Sequence, residues 1–117
     1  MSPVLFSADL GNCEALDSLD AQAISAAFGS ALRAAGATIV EQVSHAFPRS
    51  GLTCVLILKE SHAVLHTWPE TGTVNIDIFS CTTRLRSRAA IDELARVFGA
   101  GQVTVQEVLR ADGHRRG

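Results

Sequence analysis

The residues of this sequence best suited to chemistry sit together in KESHAVLHTWPE, Lys59 to Glu70. Ser61 brings a hydroxyl nucleophile, His62 and His66 bring imidazoles that exchange protons near neutral pH, and Glu60 and Glu70 bring carboxylates. Two histidines four apart suggest a metal site, with Cys81 as a further ligand. On a helix they would share a face, but the β-prone run LTCVLIL before them and the TWP after them predict a strand. Four strand residues span about 13 Å at roughly 3.3 Å each, and zinc holds its ligands at about 2 Å, so one ion does not join the pair. A hydrolase triad is a second use of such residues, yet its serine normally occupies a glycine-rich elbow, and KESHA has no glycine. A half-buried strand with a few polar residues is the plain alternative, and residue types and spacing leave the choice open.

The elements that must position this segment follow from periodicity. PVLFSADL reads as a first strand ending at the turn-forming Gly11-Asn12. Ile24, Ala27, Phe28, Ala31 and Ala35 recur at three- and four-residue steps, which predicts an amphipathic helix from Asp20 to Ala35 with Gly36 at its C-terminal cap. ATIVEQVSHAF and LTCVLILK read as strands joined by the turn PRSG. In TVNIDIFSC, Val74, Ile76 and Ile78 face one side, while Thr73, Asn75, Asp77, Phe79 and Cys81 face the other. Ser87 to Phe98 predicts a second helix through Ile91, Leu94 and Ala95, closed near Gly99. QVTVQEVL reads as a last strand and RADGHRRG as a frayed tail. Short turns between strands and two separated helices predict an α+β two-layer sandwich, a mostly antiparallel sheet with both helices on one face. The other face mixes Asp77, Cys81 and Phe79, which predicts a partner surface, most simply a homodimer.

With 117 residues the chain reads as one domain. A hydrophobic share of 47% against 19% charged residues excludes a disordered chain. The net charge of −2 gives no electrostatic case for nucleic acid or an anionic membrane as partner. No apolar run approaches the roughly 20 residues that span a bilayer, and MSPVLFSADLGN lacks the basic start of a signal peptide. Cys13, Cys54 and Cys81 are odd in number and widely spaced, a pattern that predicts a reducing cytoplasm rather than a disulfide framework.

ESHAVLHTWPETGTVNIDIFSC resembles the signature of the prokaryotic S-adenosylmethionine decarboxylase proenzymes, pyruvoyl-dependent enzymes of spermidine synthesis. Their usual form is close to E-S-H-x-x-x-H-T-[WY]-P-E, followed by a strand with V-D-[IV]-F and then Cys. AAGATIVE and HAFPRSGLT carry the likeness over nearly the whole chain. The resemblance implies a single domain, 1–117, that cleaves itself between Glu60 and Ser61 into a β chain, 1–60, and an α chain, 61–117. The α chain would open with its cofactor, a covalent pyruvoyl group made from Ser61. Such a reaction needs the Ser61 hydroxyl held against the Glu60 carbonyl, with local backbone strain and a proton acceptor.

The same resemblance implies His66 as acid/base for the elimination, the Thr53 hydroxyl as its companion, and Cys81 as the donor of a proton to the substrate's α-carbon. Phe47 matches the adenine-stacking aromatic, and Ala63, Trp68 and Glu70 match the substrate pocket, Glu70 as acceptor for ribose hydroxyls. His62 and His45 are expected to be structural, Asp77 an orienter behind the site, and Cys13 and Cys54 small buried hydrophobes. The implied partners are a small-molecule substrate and a second copy, in a homodimer of processed αβ units with residues from both protomers lining each site. Thr53 and Ser61 have the same strand parity, which predicts a shared face. Ser61 and His66 have opposite parity, which predicts a bulge or twist between them.

The sequence departs from the pattern around the pocket. Ala63 stands where a larger aliphatic residue is usual, TGTVN replaces YGYAA-like aromatics, and Thr82 replaces the common Gly after Cys81. These changes keep a pyruvoyl decarboxylase of arginine or ornithine as the alternative, and a non-catalytic α+β binding module as a further one.

Overall fold

Alternating apolar residues in six segments give a sheet with one face in the core and one face open. The computed structural model describes residues 3–48, 51–82 and 84–112. The strands are β1 (Val4–Gly11), β2 (Ile39–Phe47), β3 (Gly51–Leu58), β4 (Ser61–Trp68), β5 (Thr73–Ser80) and β6 (Gln102–Leu109). They lie in the order β2-β3-β4-β5-β1-β6, and every neighbouring pair is antiparallel. The two helices, α1 (Ala21–Ala34) and α2 (Ser87–Phe98), pack on each other and on one face of the sheet, as the sequence predicts.

The core lies between these layers. Phe28 and Leu32 of α1 and Ile91, Leu94 and Phe98 of α2 are fully buried against Leu10, Leu56, Leu65, Ile76 and Ile78 of the sheet. Burial of each such side chain stabilises the fold by about 1.5–3 kcal/mol. α1 begins where Asp20 accepts a hydrogen bond from the Ala23 N–H at 2.7 Å, a helix cap. α2 stops at Gly99, whose φ of 63° closes the helix in the left-handed conformation. Gly51 opens β3 with φ 94°, and a Cβ there would meet the Thr67 carbonyl oxygen at 2.1 Å. Only glycine lets the end of the β2–β3 hairpin cross β4 so closely. Arg49 and Ser50 of the PRSG turn, and residues 113–117 of the tail, lie outside the described residues. No helix among the described residues is long and apolar enough to cross a membrane.

Register decides which residues share the open face, and here it overturns one expectation and narrows another. β3 and β4 pair as Thr53↔His66 through Ile57↔His62. Thr53 therefore lies on the open face with His66, not with Ser61. Parity counts along one strand only, and the Lys59-Glu60 turn resets it. β4 also pairs with β5 without a break, from Ser61↔Ser80 to Trp68↔Thr73, so no bulge lies between Ser61 and His66, and the local twist is at Ser61 itself, with φ 154°. The recorded shift in register is in β2, between Ile39 and Glu41.

Candidate active site

The turn before β4 is clamped from both sides. The Lys59 N–H donates to the Thr38 carbonyl at 3.0 Å, and the Thr38 N–H donates to Glu60 Oε1 at 3.0 Å. Across the turn, Cys81 follows directly on the end of β5. Its backbone N–H and its Sγ both meet the Glu60 carbonyl oxygen, each at 3.3 Å. Two donors on one carbonyl oxygen stabilise negative charge that develops there. The next residue, Ser61, has φ 154°, a region that residues other than glycine occupy at a cost of order 1–3 kcal/mol. Strain thus sits at the Glu60–Ser61 bond, where the sequence reading required it. Ser61 Oγ lies 3.2 Å from His62 Nδ1.

A second group occupies the other end of β4 on the open face. Thr53 Oγ1 is 2.5 Å from His66 Nδ1. The His66 ring stands edge-on to Trp68 of the same strand with centroids 4.4 Å apart, and the Phe47 ring, reaching over from β2 beyond β3, is 6.1 Å away. The Trp68 indole N–H donates to Asn75 Oδ1 at 2.6 Å, and the Asn75 amide donates to Asp9 Oδ1 at 2.7 Å. That chain fixes the indole across three strands. His66 Nε2 is buried without a hydrogen-bond partner among the described residues. Glu70 is exposed in the turn that follows Trp68. The exposed aromatic faces of Phe47 and Trp68 can stack on a flat ring.

The structure therefore gathers Glu60, Ser61 and Cys81 at one end, and Phe47, Thr53, His66 and Trp68 at the other. Five residue steps along β4 separate Ser61 from His66, roughly 16 Å at about 3.3 Å each. Ala63 joins neither group, because it is fully buried on the helix-facing side of β4. Beside Ser61, on the open face, Leu5, His62, Val64, Asp77, Phe79 and Arg110 line a cavity of about 350 Å³. Among the described residues no three His, Cys, Asp or Glu side chains are grouped to hold a metal ion. Cys13 and Cys54 are buried, as their small-hydrophobe reading expects, and burial pushes the Cys13 thiol up; Cys81 is exposed.

Sequence reasoning missed two contributions. Asn75 and Asp9 hold Trp68, and His62, expected to be structural, contacts the Ser61 hydroxyl. Alternation in TVNIDIFSC already set Asn75 on the Asp77 side, but only the β4–β5 register brings it to Trp68.

Comparison with known proteins is consistent throughout. The profile of the family described as S-adenosylmethionine decarboxylase matches residues 5–111. An S-adenosylmethionine decarboxylase proenzyme of Acidithiobacillus ferrooxidans is 37% identical over 103 residues, 88% of this chain and 77% of that protein. One from Methanococcus maripaludis is 31% identical over 102 residues, 87% of this chain and 84% of that protein. The crystal structure of the adenosylmethionine decarboxylase from Aquifex aeolicus matches with a TM-score of 0.84 at 25% identity, covering 99% of this chain and 96% of that one.

Proposed function

The chain belongs to the S-adenosylmethionine decarboxylase family, and from that premise we propose that it cleaves itself at Glu60–Ser61 and then decarboxylates S-adenosylmethionine. The observation that carries the reading is the Glu60–Ser61 peptide, strained at Ser61 and with its carbonyl oxygen held by both donors of Cys81. Ser61 Oγ attacks the Glu60 carbonyl carbon, and the amide becomes an ester. Charge on the carbonyl oxygen meets the Cys81 N–H and Sγ during that attack. His66 then takes the Ser61 Cα proton, elimination releases residues 1–60, and hydrolysis with loss of ammonia leaves a pyruvoyl group on 61–117. The residues at this junction fit such a group, since the serine and the donors are already in place. A pyruvoyl group supplies the electron-withdrawing carbonyl that side chains lack, and so lets CO₂ leave the α-carbon. Cys81 Sγ, at the same junction, holds the proton that returns to that carbon. Phe47 and Trp68 stack on the adenine, and Glu70 accepts from the ribose hydroxyls.

A homodimer of processed αβ units accounts for the distance between Ser61 and His66. The open face exposes Val43 (55%), Ile57 (43%), Trp68 (42%) and Val108 (41%), an apolar surface spread over four strands. Two sheets stacked about 10 Å apart bury such faces. In such a dimer, a two-fold axis that reverses strand direction would bring the partner subunit's His66 over Ser61, and each site would draw on both copies. Three free cysteines suit a reducing cytoplasm.

The test is CO₂ release from S-adenosylmethionine, ornithine and arginine, each with the intact mass of the protein measured under denaturing conditions. Two fragments divided at Glu60–Ser61 and CO₂ from S-adenosylmethionine alone are expected. Release from ornithine or arginine but not S-adenosylmethionine would overturn the substrate.

Thr53 gives a finer check. Thr53→Val keeps the side-chain shape and leaves His66 Nδ1 without its partner, a loss of about 1–3 kcal/mol, or about 5- to 150-fold in rate. Self-cleavage followed by mass should slow by that factor, while Thr53→Ser stays near the wild-type rate.

A further inference from the structure

Self-cleavage at Glu60–Ser61 removes two protons from Ser61 in succession, first from Oγ and later from Cα. His66 suits the second, but within its own chain it lies roughly 16 Å along β4 from Ser61 and is engaged with Thr53. We propose that His62 is the base for the first proton. This assignment rests on the self-cleavage reading above and adds a catalytic residue to it.

Three observations carry it. His62 Nδ1, at 3.2 Å, is the hydrogen-bond partner that the described residues give Ser61 Oγ. With the ring proton on Nε2, Nδ1 accepts the serine hydroxyl, which is the geometry a general base requires. The ring is also held in place, because it leans on Phe79 with centroids 5.2 Å apart and planes inclined at 35°. Finally, His62 is exposed at the edge of the 350 Å³ cavity, so water reaches the ring and stabilises the positive charge it carries during the step. Adjacent residues on a regular strand point to opposite faces. The φ of 154° at Ser61 departs from that geometry at the residue whose hydroxyl meets its neighbour's imidazole.

The step balances as follows. The Oγ–H proton passes to His62 Nδ1 while Oγ bonds to the Glu60 carbonyl carbon. The carbonyl oxygen takes the electron pair and is held by the Cys81 N–H and Sγ. As the carbon–nitrogen bond breaks, the carbonyl re-forms, and the proton on His62 moves to the departing Ser61 nitrogen. An ester between Glu60 and Ser61, with a free amine on Ser61, remains, and His62 is neutral again.

The amide precursor and the ester have the same mass, but hydroxylamine cleaves only the ester. Freshly refolded wild-type, His62→Ala and His62→Gln chains are followed by intact mass, with and without hydroxylamine. Circular dichroism identifies which variants are folded, and the Gln variant decides if the Ala variant is not. Both variants should cleave at least about 10²-fold more slowly than wild type. Their uncleaved chains should resist hydroxylamine, and added imidazole should restore cleavage to His62→Ala. Cleavage at the wild-type rate in a folded variant overturns the assignment, as does a stalled chain that hydroxylamine cuts, since its ester would have formed without His62. A wild-type chain that never cleaves overturns the self-cleavage reading, and this assignment with it.

Discussion

Ser61→Ala is expected to leave one uncleaved chain near the full-length 12.4 kDa and to release no CO₂ from S-adenosylmethionine. Wild-type protein prepared alongside should separate under denaturing conditions into 1–60 and 61–117. The substitution removes one oxygen and little else. Alanine at φ 154° is as strained as serine, so the fold loses no more than it already bears. The Ser61 side chain contributes its hydrogen bond to His62 and none to the core cluster. Unfolding is therefore no explanation of lost cleavage, and circular dichroism should match wild type. Decarboxylation should fall by about 10⁶-fold or more, because the group that carries the electrons never forms. Two fragments from this variant would show that Ser61 is not the nucleophile.

Mixing two dead variants should restore activity. In Ser61→Ala homodimers neither site has a nucleophile, and in His66→Ala homodimers neither site has the base for elimination. If each site pairs Ser61 of one copy with the partner subunit's His66, a mixed dimer has one site with both residues lost and one site fully intact. Random co-assembly makes half the dimers mixed, so about a quarter of wild-type activity is expected from co-expressed chains. If both residues of a site come from one chain, every site stays dead and activity stays at background. The separation of the two groups along an unbroken β4 register is the reason to expect the first outcome. A light-scattering mass of one chain would argue against it independently.

Several levels of this structure were legible in the residues alone. Helix boundaries at Asp20 and Gly99 follow from a capping carboxylate and a left-handed glycine, both local effects. The burial of Val74, Ile76 and Ile78 follows from strand alternation, which needs no partner strand to be read. The spacing of Glu60, Ser61, His66 and Cys81 resembles a family signature, and that likeness made the family legible in the residues alone.

Tertiary structure decided how those residues meet. Parity along the sequence grouped Thr53 with Ser61, yet the Lys59-Glu60 turn and the β3–β4 register pair Thr53 with His66 instead. Cys81 reaches the Glu60 carbonyl because β4 and β5 are neighbours in register, a contact between residues 21 apart in the chain. Ala63 sits in a pocket by analogy and in the core by geometry. Local sequence determines which residues a strand turns to each side, because that depends on backbone geometry within a few residues. Which strands pair, and in what register, depends on closing turns and burying a common core, so the assembly of the site belonged to the whole fold.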